Sequence, residues 1–300
     1  MKPQFKPART LFQLVILAGL VVVGLNYQWL LDQYALATFQ PSPAVAAIES
    51  RLDLTPAATA LFARARPQID DKATFNKDCA TTKGELELGC FYQGRIYILQ
   101  ITNESLAPEM DVVMAHELLH ASWDRLSQAD QDRLSSELEQ TYHRLNDPDL
   151  NQRMAGYAKS EPGQEVNELH SILGTEQASL PADLESYYQR YFTSRPQIVT
   201  AHAAYQNVFT SQRAQLEAEL ASIRALKGQL AVINQQLENY RSAGQIGAYN
   251  SLVPRQNSLV DDINNRIEAY RTGVDEYNAL SKSLDSQEIT DTESGVSSQQ

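Results

Sequence analysis

The chain is poor in cysteine, poor in positive charge and free of basic runs beyond its first ten residues. Each shortage closes a class of function. Cysteine occurs twice in 300 residues, as Cys79 and Cys90 in a C-x10-C pair, too few for a structural zinc site with its four ligands. In an exported chain the same pair reads as a disulfide closing a small glycine-containing loop. Lysine and arginine number 25 against 37 Asp and Glu, a formal net charge of −12. An acidic chain repels a phosphate backbone, which argues against nucleic acid as a partner. Otherwise the composition, 43% hydrophobic and 21% charged, is that of a folded protein, and 300 residues exceed what one core usually needs.

What positive charge there is clusters at the start. Residues 1–10 carry Lys2, Lys6 and Arg9 and no acid, and an apolar stretch runs from Leu11 to Leu31. About 20 such residues cross a bilayer as a helix, Tyr27 and Trp29 fall where interfacial aromatics are expected, and the basic flank predicts a cytoplasmic N-terminus. The expected arrangement is a single-pass anchor over 11–31 in the cell membrane, with the remainder extracytoplasmic. A cleaved signal peptide is the alternative, because Ala35-Leu36-Ala37 has the form of a cleavage site.

Residues 32–66, with Pro41, Pro43 and Pro56, read as a tether and short helix, and Pro67 to Asn76 as irregular. Cys90 to Ile101 predicts a β-hairpin with a tight turn at Gly94, its second strand Arg95–Ile101 suited to a sheet edge. Helices are expected from Pro108 to about Leu126, from Ser127 to Leu145, from near Gln164 to a stop at Gly174, and from Pro181 through Phe192. After residue 200, Leu216, Leu220, Ile223, Leu226 and Leu230 begin one heptad-like seam, and Leu259, Ile263, Ile267, Tyr270 and Val274 another. With Ser242–Pro254 turning the chain back, 200–284 predicts a long antiparallel helical hairpin, a coiled coil. Residues 285–300 read as a disordered tail. The fold class expected is mainly α with a small β-sheet, an α+β catalytic domain over 67–199 followed by the hairpin.

The chemistry centres on His116-Glu117-Leu118-Leu119-His120. Two imidazoles four positions apart share one helix face and can reach one Zn²⁺, with Glu117 beside them to polarise a water. Apolar Val112, Val113, Met114, Ala115, Leu118 and Leu119 predict that this helix is buried. A buried His pair with Glu and no metal would be an expensive arrangement.

On these residues the chain resembles the zincins, the HExxH metallopeptidases. No glycine and third histidine follow His120 as in the metzincins, and the motif is not the inverted HxxEH. Asn167-Glu168-Leu169-His170-Ser171 is similar to the gluzincin pattern N-E-x-x-S followed by Asp, although Ile172 stands at the Asp position. The resemblance spans about residues 90–195 and is carried by these two motifs. It implies one catalytic zinc on His116, His120 and Glu168, with Glu165 and Glu176 as alternative third ligands. It also implies peptide-bond hydrolysis with Glu117 as general base, and a Tyr or His oxyanion donor for which Tyr157, Tyr187, Tyr188, Tyr191 and His202 are available. His170, about 200° around the helix from Glu168, reads as a supporting or surface residue rather than a ligand. Asp124 and Trp123 are candidates to orient a ligand and fill the core.

Two other classes remain open. One is a membrane-tethered scaffold or adaptor whose hairpin, 200–284, binds a protein partner while the zinc site is structural or vestigial. The other is a zinc amidase acting on cell-wall peptides. An intact Glu117 speaks against a purely structural site, and an edge strand favours a peptide or protein substrate.

Overall fold

The computed structural model describes residues 26–79 and 88–284, together with Leu17, Val21, Val23 and Gly24. Most of the expected anchor, most of the loop between the cysteines and the expected tail lie outside the described residues. The chain is mainly helical with one three-stranded sheet, an α+β protein. It divides into two compact units. One takes in the described residues of Met1–Gln100 with Glu109–His202, the other those of Ile101–Pro108 with Ala203–Gln300.

The first unit opens with three helices, α1 (Tyr27–Thr38), α2 (Pro43–Leu52) and α3 (Pro56–Ala65). The stretch expected as a tether is therefore helical and packed, and the prolines explain why. Pro43 and Pro56 sit at first helical positions behind Ser42 and Thr55, whose side chains accept from the backbone N–H groups of Val45 and Ala58. A proline there starts a helix, because its missing N–H had no partner to lose. Val45, Ile48, Leu52, Ala58, Leu61 and Phe62 then enter the main core.

The sheet has the order β1-β3-β2, with β1 (Gln68–Asp70) parallel to β3 (Arg95–Leu99) and β2 (Gly89–Tyr92) antiparallel to it. Gln93 and Gly94, at φ 50° and 75°, make the tight turn between β2 and β3; two positive φ values suit the right-handed twist of the strands. The strand expected at the edge, β3, is instead the centre of the sheet, bonded on both sides, with Ile96 through Leu99 buried. The edge is β2. The segment expected to be irregular contributes β1 and α4 (Lys72–Asp78), the latter capped by Asp71. A disulfide joins Cys79, at the end of α4, to Cys90 in β2, with Cα atoms 6.1 Å apart.

Five further helices follow in this unit: α5 (Glu109–Trp123), α6 (Gln128–Leu145), α7 (Pro148–Ser160), α8 (Glu165–Glu176) and α9 (Ala182–Tyr188). Helix α5 runs through the middle, with Val112, Met114, Ala115, Leu118 and Leu119 in the core. It is apolar around much of its circumference, as a helix covered on several sides must be. Arg51 of α2 donates to both oxygens of Asp111 in its first turn, at 2.6 and 2.7 Å. Arg125 just past its end donates to both oxygens of Asp32 of α1, at 2.9 and 2.7 Å. Gly174, expected to stop a helix, lies inside α8, which runs on to Glu176.

Two long helices follow, α10 (Arg195–Ser242) and α11 (Ile246–Ser283). The helix opened near Pro181 ends at Tyr188, before Arg195-Pro196, and Pro196 stands in the first turn of α10, which its missing N–H permits. In the second unit Leu216, Ile223 and Leu230 of α10 share a core with Ile263, Ile267, Tyr270, Val274 and Tyr277 of α11. Arg266 pairs with Glu219 at 3.1 Å and Gln256 donates to Asn234 at 2.7 Å. Rising numbers on one helix thus meet falling numbers on the other, and the pair is antiparallel. The turn is shorter than Ser242–Pro254: the chain reverses at Ala243–Gln245 and Pro254 stands inside α11.

Candidate metal centre

Helices α5 and α8 bring the expected ligands together. His116 Nε2 lies 3.5 Å from Glu168 Oε2, and His120 Nε2 lies 3.3 Å from Glu168 Oε1. One ligand atom from each of the three residues falls within 4.8 Å of the others. Tetrahedral ligands about 2.0–2.1 Å from one ion stand about 3.3 Å from each other, so the carboxylate sits at ligand spacing from both imidazoles. Two His nitrogens and a carboxylate oxygen also suit the donor preferences of zinc. By spacing and donor type the residues fit the ion.

The second ring nitrogen of His120 is held as well. Its Nδ1 lies 3.0 Å from Asn167 Oδ1; an amide oxygen only accepts, so Nδ1 carries the proton and Nε2 is left as the donor to a metal. The sequence pattern points for this support to the Ile172 position or to Asp124. Ile172 is buried in the core and Asp124 is exposed at the cleft, and the residue that does the orienting directly precedes Glu168.

Electrostatics favour a cation. Burial pushes the Glu168 carboxyl up, but His120, His116 and Arg153 outweigh it and hold Glu168 low, as a carboxylate. Burial opposes a proton on His116, yet the hydrogen bond to Glu168 and the fields of Glu117, Glu168 and Glu176 raise it overall. For His120, burial dominates and lowers it. Three carboxylates thus focus negative potential on His116.

The alternative ligands are engaged elsewhere. Glu165 accepts from the Gly163 N–H at 2.8 Å, and Glu176 takes two hydrogen bonds from Arg153 at 2.5 and 2.8 Å. His170 is neither a ligand nor a surface residue. It is fully buried, 2.9 Å from the Tyr187 hydroxyl, beneath the Trp123 ring at 5.1 Å. Tyr187 and Tyr188 are core residues, and the Tyr188 hydroxyl donates to the His170 carbonyl at 2.7 Å. Tyr191 packs on Tyr187, and His202 pairs with Glu109.

A cleft of about 700 Å³ opens over this centre. One wall is strand β2 with Leu88; the others include Val112, Val113, Glu117, Asp124, Tyr157 and Glu176. Glu117 is 5% exposed and leans on Gly89 of β2, where a Cβ would fall 2.9 Å from its Oε1. Of the oxyanion-donor candidates, Tyr157 lines the cleft. Burial, followed by the Glu168 carboxylate, pushes its phenol up, so it stays an O–H donor.

No protein-family model matches the chain, and no curated protein or solved structure matches it.

Proposed function

We propose that the chain is a zinc-dependent hydrolase of the HExxH kind, with a gluzincin-like site made by His116, His120 and Glu168. Specifically, it is an extracytoplasmic peptidase tethered to the membrane through 11–31. The observation that carries the reading is the approach of both Nε2 atoms to one buried carboxylate, with Glu117 beside them facing a cleft.

A zinc ion held there supplies Lewis acidity, which acidifies water and polarises a carbonyl. The residues do the rest. Asn167 keeps His120 in the tautomer that frees Nε2. Glu117 takes the proton of the attacking water and passes it to the leaving amine. Tyr157 presents a phenolic proton to the developing oxyanion. Strand β2, bonded on one side to β3, offers its other edge along the cleft, where an extended peptide can add as a further strand.

Membrane attachment rests on the sequence of 11–31 together with α1. Tyr27, Trp29, Leu30, Tyr34 and Leu36 are exposed, as are Leu17, Val21 and Val23. No helix among the described residues is long and apolar enough to cross a membrane. The Asp32–Arg125 pair ties α1 to the end of the metal-bearing helix. An anchor continuous with α1 would keep the cleft close to the bilayer. The paired helices α10 and α11 are read as a coiled-coil brace or recruitment arm.

The test is metal analysis of purified protein with hydrolysis of casein and fluorogenic peptides. About one zinc per chain is expected, and Glu117→Gln is expected to keep the zinc and lose hydrolysis. A chain purified without chelators that carries no tightly bound metal would end the proposal.

A further inference from the structure

Helix α1 presents an outer face without charge. Its only charged residue is Asp32, which is paired with Arg125, while Tyr27, Trp29, Leu30, Gln33, Tyr34 and Leu36 are exposed. In a chain that is 21% charged such a face is unusual, and Tyr and Trp are the side chains enriched at bilayer surfaces. The sequence just before it, Leu11 to Leu25, holds no charged residue either. Helix α1 opens at Asn26, whose backbone lies outside the helical range at φ −111° and ψ 15°, so α1 is free of the direction of the chain that precedes it. Beside α1 is a cavity of about 420 Å³ whose lining includes Leu31, Phe91 and four arginines, Arg64, Arg66, Arg95 and Arg125, against one carboxylate, Asp124. Arg125 is matched by Asp32. Arg66 donates to Thr38 Oγ1 at 3.3 Å and Arg95 to Gln68 Oε1 at 2.9 Å, both neutral acceptors. Among the described residues no carboxylate pairs with Arg64, Arg66 or Arg95, and Arg64 and Arg95 are exposed. A chain of net charge −12 thus gathers unmatched positive charge in one place.

We propose that α1 and this cavity form a docking surface for a bilayer that carries anionic phospholipid, with α1 lying in the headgroup layer and a lipid phosphate taken by Arg64 and Arg66. This deepens the membrane attachment read above and rests on it. A helix with an apolar, uncharged outer face is held at the boundary between headgroups and acyl chains. Guanidinium groups match phosphate oxygens in charge and geometry. Each carries five N–H donors, so the one bond from Arg66 to Thr38 leaves most of them for a phosphate. Leu31 and Phe91, lining the same cavity, suit the first methylenes of the lipid. A soluble acidic ligand would use the arginines but leave the outer face of α1 uncovered; a bilayer accounts for both.

The test uses the full chain with Ala37→Cys, in the last turn of α1, labelled with an environment-sensitive fluorophore; the two native cysteines are joined to each other. Ala37 stands about 9 Å beyond Leu31 along the helix axis, so the probe enters the headgroup layer if α1 lies flat and water if α1 stands upright. In phosphatidylcholine vesicles containing phosphatidylglycerol, the probe is expected to be quenched by spin-labelled lipid and shielded from iodide. Protein that floats with the vesicles but whose probe answers to iodide alone overturns the docking surface and leaves the tether standing. Failure to float overturns both. In detergent, short-chain phosphatidylglycerol is expected to shift the probe at concentrations about tenfold or more below those of phosphatidylcholine, and Arg64→Gln and Arg66→Gln each to weaken that response about fivefold. Equal response to the two lipids, or an affinity unchanged in both variants, overturns the arginine site. An equal response to inorganic phosphate or to polyglutamate would assign the cavity to a free anion or an acidic protein segment, and overturns it too.

Discussion

Asn167 Oδ1 lies 3.0 Å from Nδ1 of His120, one residue before the carboxylate that faces the other nitrogen of the same ring. A single stretch of α8 therefore supplies a candidate ligand and the group placed to orient another candidate ligand. Asn167 Nδ2 lies 3.4 Å from Gln164 Oε1, which keeps the amide oxygen toward the histidine. Asn167→Ala is expected to weaken zinc binding by about 10–100-fold, the usual effect of losing such a partner. Competition with a fluorescent chelator measures it. Asn167→Asp should retain most of the affinity. An unchanged affinity in the alanine variant would remove Asn167 from the site.

Gly89 is where strand β2 touches the general-base candidate. A Cβ there would fall 2.4 Å from Val113 Cγ1 and 2.9 Å from Glu117 Oε1. The carboxylate can swing aside, but the valine methyl is fixed on a core helix. Either β2 moves out or Glu117 moves away from the water it is to deprotonate. Gly89→Ala should lower kcat/KM about 100-fold, the scale of a misplacement near 1 Å, with zinc content unchanged. Kinetics and metal analysis of the same preparation check both halves; activity near that of the unmodified chain would mean β2 yields freely.

Local signals are the legible ones. The HELLH spacing speaks of one helix face because four residues make about one turn, and the seams of α10 and α11 repeat often enough to be read. The hairpin turn at Gly94 and the cysteine pair are also legible, the latter through the expectation of export rather than through spacing. Non-local pairings are hidden. Strand β1 is three residues of polar and mixed character, and its partner β3 lies far along the chain. Strand β3 is expected at an edge, yet its wealth of Ile and Tyr is what a buried central strand requires. Pro43 and Pro56 resemble breakers, but the capping residues before them make them helix starters. The link of Glu109, His202, Glu176 and Arg153 joins four helices, and no spacing rule announces it.

Gly174 in α8 faces the neighbouring core. A Cβ there would lie 2.5 Å from Leu119 Cδ1 and 2.6 Å from Tyr188 Cε1. Alanine is worth about 1 kcal/mol over glycine in an exposed helix interior, so an unpacked α8 would gain from the change. Overpacking a tight core costs about 1–3 kcal/mol, and Leu119 and Tyr188 are both fully buried with little room to retreat. Gly174→Ala is therefore expected to destabilise by about 1–2 kcal/mol, read from the midpoint of urea unfolding. A stabilised variant would show that α8 and α5 can part at no cost.

His202 gives the stability of the first unit a pH dependence with a definite sign. Burial opposes its proton, but the hydrogen bond to Glu109 and the charges of Glu176 and Glu109 outweigh burial and Arg153, raising it above 6.5. A histidine that binds its proton more tightly when folded stabilises fully below its unfolded value, and loses that contribution as pH rises through the folded one. The side chain is 13% exposed, so screening by solvent is modest. Thermal unfolding of the unmodified chain and His202→Gln, compared at steps between about pH 5.5 and 9, should show the histidine's advantage largest at the acid end. It should then shrink as pH climbs past the raised value. A difference that is flat, or that widens toward alkaline pH, would mean that His202 is held by packing rather than by its carboxylate neighbours.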